Sequence, residues 1–442
     1  MSGELPDPTV AERLHRLLHH LGIERAHIAG RLAADWGGFV AAHPEAVASL
    51  TILNSFEPRM VAPLRGRVLA ITGDQGAMPE MVRGALADPA TGGVRHICLP
   101  DYNLLAWADV AVDRGAAVGD ALLAFLTEIP CPAAALAEGE GDVAGITYRV
   151  RGAGPPLILM PLFLSPSQWE PLVPRLAERY CTVTLGGAAL GAVAVLEARG
   201  RAAGYRRIVR ALLDEARLRS GEHLLEVGSG SGALVRRLAR RTAGANPITG
   251  VDINSYLLRE AAALAKRDGL ADAISFREGN AEALPFADAS FDVVMSVTVI
   301  EEADADRMLA EMVRVAKPGG RVAVIARSVD TPFLVNAPLS PALKAKAEAP
   351  GAIGGVAPAG CADLSLYRRM LNAGLAPLSM MTQLATFDQN DRAFVDFMQG
   401  SLLQQLSAED AREWRAARAQ AEGDGTFFIA WPHHGAVGTK RG

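Results

Sequence analysis

The segment Leu224-Leu225-Glu226-Val227-Gly228-Ser229-Gly230-Ser231-Gly232 decides the fold of this chain. An apolar run that is followed by alternating glycines predicts a buried strand turning into a loop. Glycine has no Cβ, so such a loop can turn tightly and let its backbone approach a bound ligand. The next residues, Ala233 to Arg241, are expected to form a helix. The chain should therefore contain an α/β sheet with a nucleotide site at this turn.

Two carboxylates near this loop indicate which nucleotide binds. The glycines also fit the dinucleotide fingerprint G-x-G-x-x-G/A, with Ala233 at its last position. Glu226, however, lies two residues before the first glycine, where a pyrophosphate would be repelled and the cationic amino end of S-adenosylmethionine would be attracted. Asp252 ends the second apolar strand, Ile248 to Val251, and suits a ribose diol in either class of ligand. The pattern therefore favours S-adenosylmethionine over NAD.

Two downstream segments carry a family resemblance. They read Gly279-Asn280-Ala281-Glu282-Ala283-Leu284-Pro285-Phe286 and Val315-Ala316-Lys317-Pro318-Gly319-Gly320-Arg321. From about Tyr205 to the C-terminus the chain resembles the class I S-adenosylmethionine-dependent methyltransferases, specifically their small-molecule branch. The resemblance implies a seven-stranded Rossmann-like sheet, with helices inserted before the last antiparallel strand. It also implies methyl transfer to a small molecule, with S-adenosylmethionine as the cofactor.

The resemblance further implies a set of cofactor-binding residues. They are Glu226, Gly228, Ser229, Gly230, Gly232, Asp252, Ile253, Asn280, Ala281, Ser296 and Tyr205. Asn280 departs from the family's aspartate, although its amide oxygen can still accept a hydrogen bond from the adenine amine. Tyr205 would close over the methionine end of the cofactor, and a buried helix tyrosine explains it equally well. No catalytic residue is predicted, since a sulfonium is already an activated leaving group and a base is needed only for some acceptors.

Other charged residues have competing structural explanations. His433 and His434 lie in the last strand, whose beginning near Thr426 is expected to lie by the cofactor and its end away from it, which favours a structural role. Glu301 and Glu302 follow the fourth strand at the ligand-binding edge, but a charged helix start also explains them. The arginines 236, 237, 240 and 241 have helical spacing, so we expect a solvated face and assign them no function.

An apolar stripe is expected in the inserted helices between Asn390 and Glu422. It comprises Phe394, Phe397, Met398, Leu402 and Leu403. Such a stripe either forms a wall of the acceptor pocket or packs on the sheet as an ordinary amphipathic helix. In the first case the methyl acceptor would be mostly apolar.

Residues 1–200 show a second α/β pattern. Short apolar strands such as Ala26 to Ala29 alternate with helical segments, which indicates a parallel sheet. The stretch from Leu21 to Ser55 resembles the region around the nucleophile of α/β-hydrolases. The resemblance implies G-x-S-x-G, but Leu32 stands at the position of the serine. Asp74 is a displaced substitute for the acid and Asp101-Tyr102-Asn103 takes the place of the histidine, so no esterase activity is expected.

The hydrolase-like segments also occur in a permuted order. Residues 145–200 resemble the first strands and helix of the same fold, which should precede the nucleophile region. A linker around Pro130-Cys131-Pro132 joins the halves 1–127 and 145–200. We therefore expect a degenerate hydrolase-like domain over residues 1–200, followed by a methyltransferase domain over residues 201–442.

Composition excludes several partners. A formal net charge of −5 over 442 residues offers no field that would hold nucleic acid. No apolar run is long enough to cross a bilayer, and no signal peptide is evident, so we expect a cytoplasmic protein. The four cysteines lack C-x-x-C spacing, which argues against disulfides and a thiolate metal site. The alternative to an enzyme is a non-catalytic protein whose two domains only bind ligands or partners.

Overall fold

The computed structural model describes residues 8–31, 34–53, 61–75, 82–84, 86, 93–102, 110–162, 166–187, 189–351 and 356–441. Contacts divide the chain into an N-terminal unit, Met1–Ala194, and a C-terminal unit, Val195–Gly442. Each unit is built on a mostly parallel sheet with helices, so the α/β fold class is confirmed. The division expected after residue 200 falls inside the helix Gly191–Arg201 and stays a prediction. None of the helices in the described ranges is long and apolar enough to cross a membrane.

The sheet of the N-terminal unit has the strand order β4-β3-β2-β1-β7-β8-β6-β5. Its strands are β1 (Ala26–Gly30), β2 (Val47–Leu53), β3 (Val68–Gly73), β4 (Val94–Leu99), β5 (Gly139–Val143), β6 (Ile146–Arg151), β7 (Pro156–Leu159) and β8 (Cys181–Gly186). Its helices are α1 (Val10–His20), α2 (Ala34–Ala42), α3 (Val110–Asp113), α4 (Gly115–Thr127) and α5 (Val173–Leu176). Val68 and Leu69 of β3 belong to different buried apolar clusters, so both faces of this sheet are covered.

Two segments far apart in the chain pair at the centre of this sheet. β1 runs parallel to β7, with His27 opposite Leu157, while β2 pairs with the other edge of β1. β6 is antiparallel to both β8 and β5. The halves on either side of the residue 130 linker therefore contribute to one sheet rather than to two.

The sheet of the C-terminal unit has the order β11-β10-β9-β12-β13-β16, and β15 pairs along the outer side of β16. Its strands are β9 (Leu224–Val227), β10 (Ile248–Asp252), β11 (Ile274–Glu278), β12 (Phe291–Val297), β13 (Ala316–Arg327), β14 (Leu334–Asn336), β15 (Leu375–Asp388) and β16 (Phe428–Lys440). Among the described strands, β16 is antiparallel to β13, and β14 and β15 are both antiparallel to β16. The seven expected strands are present, and the short β14 adds an eighth beside the start of β16.

Helices cover both faces of the second sheet. They are α6 (Gly191–Arg201), α7 (Ala203–Ala216), α8 (Ala233–Arg241), α9 (Ser255–Arg267), α10 (Ala305–Val315), α11 (Pro341–Ala347), α12 (Ser365–Asn372), α13 (Arg392–Gln405) and α14 (Ala408–Gly423). Side chains that follow one another in a strand, such as Leu224 and Leu225, enter different buried clusters. The helix starts are fixed locally, since the Asn254 and Asp304 side chains accept backbone N–H groups at the starts of α9 and α10.

Candidate active site

The glycine loop lies between β9 and α8, as the sequence predicted. Gly228 has φ +76°, and a Cβ there would lie 2.2 Å from Cγ2 of Val299, so no other residue fits without rearrangement. The backbone N–H groups of Gly228 and Ser229 both donate to the carbonyl of Val251, at 2.8 and 3.0 Å. The loop is therefore held directly above the carboxyl ends of β9 and β10.

Asp252 fastens this loop to the end of β10. Its Oδ2 accepts the N–H of Gly230 at 2.8 Å, and its Oδ1 accepts the N–H of Asn254 at 2.9 Å. Burial raises the pKa of this carboxyl above its ordinary value, against the opposite effect of the backbone N–H groups. Each carboxylate oxygen retains a second lone pair, so the group can still accept from a ligand hydroxyl.

Glu226 and Ser229 each have a buried polar side-chain atom that forms no hydrogen bond with the described residues. The side chain of Glu226 is 4% exposed, and its Oε2 has no hydrogen-bond partner among the described residues. The hydroxyl of Ser229 is likewise buried and unpartnered within that part of the chain. Burial raises the pKa of Glu226 well above its ordinary value, while Arg199 opposes the rise. Because unmade buried hydrogen bonds are costly, the loop suits a ligand that donates to these oxygens.

Arg199 and Thr298 belong to this site although no motif predicted them. Nη1 of Arg199, on α6, donates to Oγ1 of Thr298 at 2.8 Å, and its Nε is buried without a partner in the described ranges. Thr298 follows β12 with φ +58°, a strained conformation for a β-branched residue that recurs at functional sites. The sequence shows only an isolated arginine and threonine, because helix packing brings them together.

Tyr205 lies beside Arg199, on α7. The Arg199 guanidinium stands 5.0 Å from the centre of the Tyr205 ring, and the tyrosine is 8% exposed. Burial raises the pKa of its phenol, with Glu226 and Glu301 near enough to add to the rise. Tyr205 is therefore a buried helix residue at the ligand edge, and its contact with the cofactor stays a prediction.

The residues expected around the adenine and ribose occupy the same edge. Ile253 is 68% exposed directly after Asp252 and offers an apolar surface. Asn280 is exposed, and its Oδ1 accepts the N–H of Glu282 at 2.8 Å, which leaves one lone pair on this oxygen. Ala281 is half-buried. Ser296 is fully buried, and its hydroxyl donates to the carbonyl of Val227 at 2.8 Å. This hydrogen bond links β12 to β9 and leaves the hydroxyl hydrogen unable to bind a ligand.

Glu301 and Arg327 form a buried ion pair above β12 and β13. Glu301 is 0% exposed; its Oε1 accepts from the backbone N–H of Arg327 and from its Nε, the latter at 3.2 Å. Oε2 of Glu301 has no partner among the described residues, and burial raises the pKa of this carboxyl. Helix α10 begins only at Ala305 with Asp304 as its cap, so a helix start does not account for Glu301.

The prediction that His433 and His434 lie away from the ligand edge is wrong. β16 is long, and its register places His433 opposite Arg327 and His434 opposite Ala326, at the carboxyl end of β13. Nδ1 of His433 donates to the carbonyl of Trp431 at 2.9 Å, and burial lowers the pKa of this imidazole to about 3. His433 is therefore neutral at physiological pH, with Nε2 left as an acceptor.

His434 points to the other face of the sheet. Its Nε2 lies 2.7 Å from Oδ1 of Asp330, and its Nδ1 lies 3.2 Å from Oγ1 of Thr382. Hydrogen bonds from His434 and Ser328 lower the pKa of Asp330 to about 2, despite a desolvation that acts in the opposite direction. Both ring nitrogens of His434 are thus used within the protein, which fits the structural role expected for it.

The apolar stripe of α13 is mainly core. Phe394, Met398 and Leu402 are each at most 2% exposed, whereas Phe397 is 39% exposed. The Phe394 ring stacks on Trp431 at 5.8 Å, close to Arg327, whose guanidinium lies 5.8 Å from the same indole ring. Nε1 of Trp431 is buried without a partner in the part of the chain described. The aromatic rings of Phe394 and Trp431 therefore lie next to the polar side chain of Arg327 at the ligand edge.

The solvated face expected for the arginines of α8 is wrong for Arg236. This side chain is 4% exposed, and its Nη2 donates to Oε1 of Glu197 at 2.6 Å, an oxygen that also accepts from Ser231. The pair joins α8 to α6 below the glycine loop. Helical spacing alone did not reveal it, since Glu197 lies on another helix.

Five buried polar atoms of the C-terminal unit have no hydrogen-bond partner in the described chain. Among its described residues they are Nε of Arg199, Oε2 of Glu226, Oγ of Ser229, Oε2 of Glu301 and Nε1 of Trp431. All of them follow, or pack against, the carboxyl ends of the parallel strands. In open α/β sheets this is the edge at which ligands bind. The site therefore offers both donors and acceptors to a polar ligand.

Comparison with known proteins agrees with this geometry. Residues 225–324 match the family model described as a methyltransferase domain. The chain is 34% identical over 128 residues to the ubiquinone/menaquinone biosynthesis C-methyltransferase UbiE of Hahella chejuensis, which covers 29% of this chain and 51% of that protein. It is 34% identical over 119 residues to the methyltransferase GfsG of Streptomyces halstedii, covering 27% and 42%. The C-terminal half thus contains a class I S-adenosylmethionine-dependent methyltransferase domain. The chain spans about half the length of the curated relatives it matches.

Solved structures with similar folds include the [4+2]-cyclase SpnF, with 22% identity, a TM-score of 0.36, and coverage of 54% of this chain and 82% of that chain. They also include a geranyl diphosphate methyltransferase in complex with SAM, with 15% identity, a TM-score of 0.34, and coverage of 53% and 84%.

Proposed function

We propose that this protein transfers the methyl group of S-adenosylmethionine to a small, mostly apolar molecule. The observation that carries the proposal is the buried Oε2 of Glu226 beside the glycine loop, which has no hydrogen-bond partner among the residues that the structure describes. An uncompensated buried carboxylate is unfavourable, and an ammonium group would offset the cost through a charge-assisted hydrogen bond. S-adenosylmethionine carries such a group in its methionine part. The match of residues 225–324 to the methyltransferase domain family supports the same cofactor.

We assign the remaining cofactor contacts to residues at the same edge of the sheet, where the parallel strands end. We assign the methionine carboxylate to Arg199, whose Nε lacks a partner in the described chain. The ribose diol is assigned to Asp252, and the adenine to the exposed Ile253 and to Asn280 and Ala281. When bound, the cofactor supplies a methyl group on a positively charged sulfonium. The protein's residues hold that group in position and exclude water from it.

The acceptor is assigned to the space bounded by Glu301, Arg327, Trp431 and His433. Aromatic side chains supply an apolar wall there, and the UbiE and GfsG relatives are by name methyltransferases, the former in quinone biosynthesis. If the acceptor must lose a proton, Glu301 is the carboxylate placed to take it, since its Oε2 is unpartnered in the described chain and its pKa is raised by burial. His433 would accept a hydrogen bond from an acceptor hydroxyl through its neutral Nε2.

Isothermal titration with S-adenosylmethionine tests this function. We expect micromolar binding to the unmodified protein and clearly weaker binding to Glu226→Gln. The exposed Glu215 on α7 offers a matched control, and Glu215→Gln should bind as the unmodified protein does. Absence of binding would contradict the proposal. Binding without methyl transfer to any candidate acceptor would favour the alternative, a non-catalytic ligand-binding protein.

We further propose that the N-terminal unit is a permuted α/β-hydrolase-like scaffold without hydrolase activity. Its strand order, with an antiparallel hairpin at one edge and β1 at the centre, supports this assignment. The carboxylate of Asp74 accepts the N–H groups of Asp101 and Tyr102, at 3.0 and 3.1 Å, which supports the assignment of these residues to the acid and histidine positions of a triad. Neither position carries an imidazole. Leu32 and Asn103 lie outside the described residues.

A fluorophosphonate probe tests the inactive scaffold. We expect no stoichiometric labelling of any residue before position 200, because a leucine cannot attack the probe. Labelling of a serine in this unit would contradict the assignment. Its role would then be catalytic rather than that of an interaction or stability module.

A further inference from the structure

Helices α7 and α8 are neighbours and carry a cluster of arginines, most of them exposed and one, Arg237, half-buried. Arg206, Arg210 and Arg217 follow one stripe along α7 and its end, while Arg237 and Arg241 follow one stripe of α8. These five side chains are called the arginine groove. The helices are in contact, since Nη2 of Arg241 donates to Oδ1 of Asp214 at 2.6 Å. From Arg206 to Arg217 the stripe is about 16 Å long.

The groove contains far more positive than negative charge. Within the described chain, Arg206, Arg210 and Arg237 form no ion pair or hydrogen bond with a carboxylate, whereas Arg236 and Arg240 share Asp268. Asp214 forms an ion pair with Arg241. The interaction between Asp391 and Arg206 is electrostatic and acts at longer range than an ion pair. Half-burial lowers the pKa of Arg237, and repulsion from Arg206 and Arg210 lowers it further. Such crowding is unfavourable unless an anion is present, and it contrasts with the chain's formal net charge of −5.

A cavity opens at the lower end of the arginine groove. It has a volume of about 420 Å³, and its lining includes Asp214, Arg217, Arg219 and Arg241. Ala245 and Asn246, which precede β10, complete its floor. The cavity thus lies at the amino ends of β9 and β10, whereas the glycine loop lies at their carboxyl ends. Its volume is within the range of small-molecule sites.

We propose that the arginine groove and this cavity bind an organic diphosphate or triphosphate, separately from the cofactor. Guanidinium groups bind phosphate oxygens in pairs of parallel hydrogen bonds, so a row of arginines suits consecutive phosphates. The organic part of the ligand would occupy the cavity. A phosphate chain would relieve the repulsion among Arg206, Arg210 and Arg237. Occupancy of the site is independent of methyl transfer.

Titration of the full-length protein with inorganic tripolyphosphate, and separately with ATP, tests the proposal. We expect both to bind, and Arg237→Gln to weaken each at least tenfold, because a charge-assisted contact is lost. Arg415→Gln, an exposed arginine of α14, removes the same charge elsewhere and should leave both affinities unchanged. The double variant Arg206→Gln, Arg210→Gln should weaken binding further than Arg237→Gln does.

A folding control accompanies the binding data. Because its neighbours repel Arg237, Arg237→Gln should melt no lower than the unmodified protein in the absence of anions. Failure of both probes to bind at millimolar concentration would overturn the proposal. So would equal losses in Arg237→Gln and Arg415→Gln, or competition between tripolyphosphate and S-adenosylmethionine. A last experiment measures binding of the protein to vesicles of phosphatidylcholine and phosphatidylglycerol. If the protein binds these vesicles and tripolyphosphate does not displace it, the arginines bind a membrane surface instead of a soluble phosphate, and the proposal is wrong.

Discussion

At the scale of single residues, the ligand edge is marked by buried polar atoms that have no partner in the described part of the chain. Burying one such atom without a hydrogen bond costs about 1–3 kcal/mol. The chain nevertheless leaves Oε2 of both Glu226 and Glu301 in that condition within the described residues. A site that must bind a charged ligand gains from this arrangement, because the cost is recovered when the ligand donates. The stability of the ligand-free protein and its affinity are therefore opposed at these positions.

The variant Glu226→Gln separates the stability of the ligand-free protein from its affinity for the cofactor. We expect the affinity for S-adenosylmethionine to fall about tenfold to hundredfold, since a charge-assisted hydrogen bond is lost. The melting temperature of the ligand-free variant should equal or exceed that of the unmodified protein, because a buried charge is removed. Titration calorimetry and thermal unfolding measure both. A variant that melts well below the unmodified protein would show that Glu226 has a structural partner.

The pH dependence of stability follows from the same burial. In the folded protein, burial raises the pKa of Glu226 above its ordinary value of 4.5. Between the two pKa values the folded chain holds a proton that the unfolded chain has released. The contribution of Glu226 to stability is thus present below pH 4.5 and is lost as the pH rises through the folded-state pKa.

Thermal unfolding at increasing pH above 4.5 checks this sign, because burial delays the release of the Glu226 proton in the folded protein. The advantage of Glu226→Gln over the unmodified ligand-free protein should grow with increasing pH. An advantage that shrinks with increasing pH would mean that the Glu226 carboxyl is stabilised in its charged form. Glu215→Gln serves again as the control and should show no such trend.

At the scale of elements, the length and register of β16 decide what reaches the ligand edge. β16 spans Phe428–Lys440, and its pairing with β13 brings His433 level with Arg327. If β16 instead began level with Arg327, both histidines would lie further along β13, away from its carboxyl end. Strand alternation then separates them, so His433 faces Trp431 while His434 bonds to Asp330 on the other face.

Helix α13 shows how one stripe divides between core and surface. Met398→Ala should destabilise the protein by about 2–5 kcal/mol, since this side chain is 1% exposed and its removal leaves a cavity. Phe397→Ala should cost less than about 1 kcal/mol, because Phe397 is 39% exposed. Denaturant unfolding of the two variants measures the difference. Equal losses would mean that both residues belong to the core.

At the scale of the whole molecule, each unit has its own apolar cores. Residues of the N-terminal unit form two clusters around its sheet, and residues of the C-terminal unit form two others. A unit with a separate core can unfold as a separate cooperative step. The proposed cofactor site lies wholly in the C-terminal unit. Its ligand should therefore stabilise only one of the two steps.

Differential scanning calorimetry tests this expectation. We expect two transitions, with S-adenosylmethionine raising the temperature of one and leaving the other unchanged. At a concentration of about 100 times Kd the ligand adds about 2.7 kcal/mol to the unfolding free energy of the unit that binds it. A single transition that shifts as a whole would show that the two units unfold together.

The sequence by itself determined the features that depend on local pattern. The glycine loop between β9 and α8, the carboxylates Glu226 and Asp252, and the α/β class could all be predicted. A tight turn at Gly228 depends mainly on residues close to it in the chain, so a short segment predicts it. The same holds for the family resemblance, whose motifs are contiguous.

Only the tertiary structure decided which distant side chains meet. Arg199 reaches Thr298 and Tyr205 because α6 and α7 pack on the sheet, and Glu301 meets Arg327 because β12 and β13 are parallel neighbours. The arginine groove likewise needs α7 beside α8. Periodicity shows that a helix has a polar face, but not which helix that face meets. Packing and strand register fix these contacts, and they depend on the whole fold rather than on any one segment.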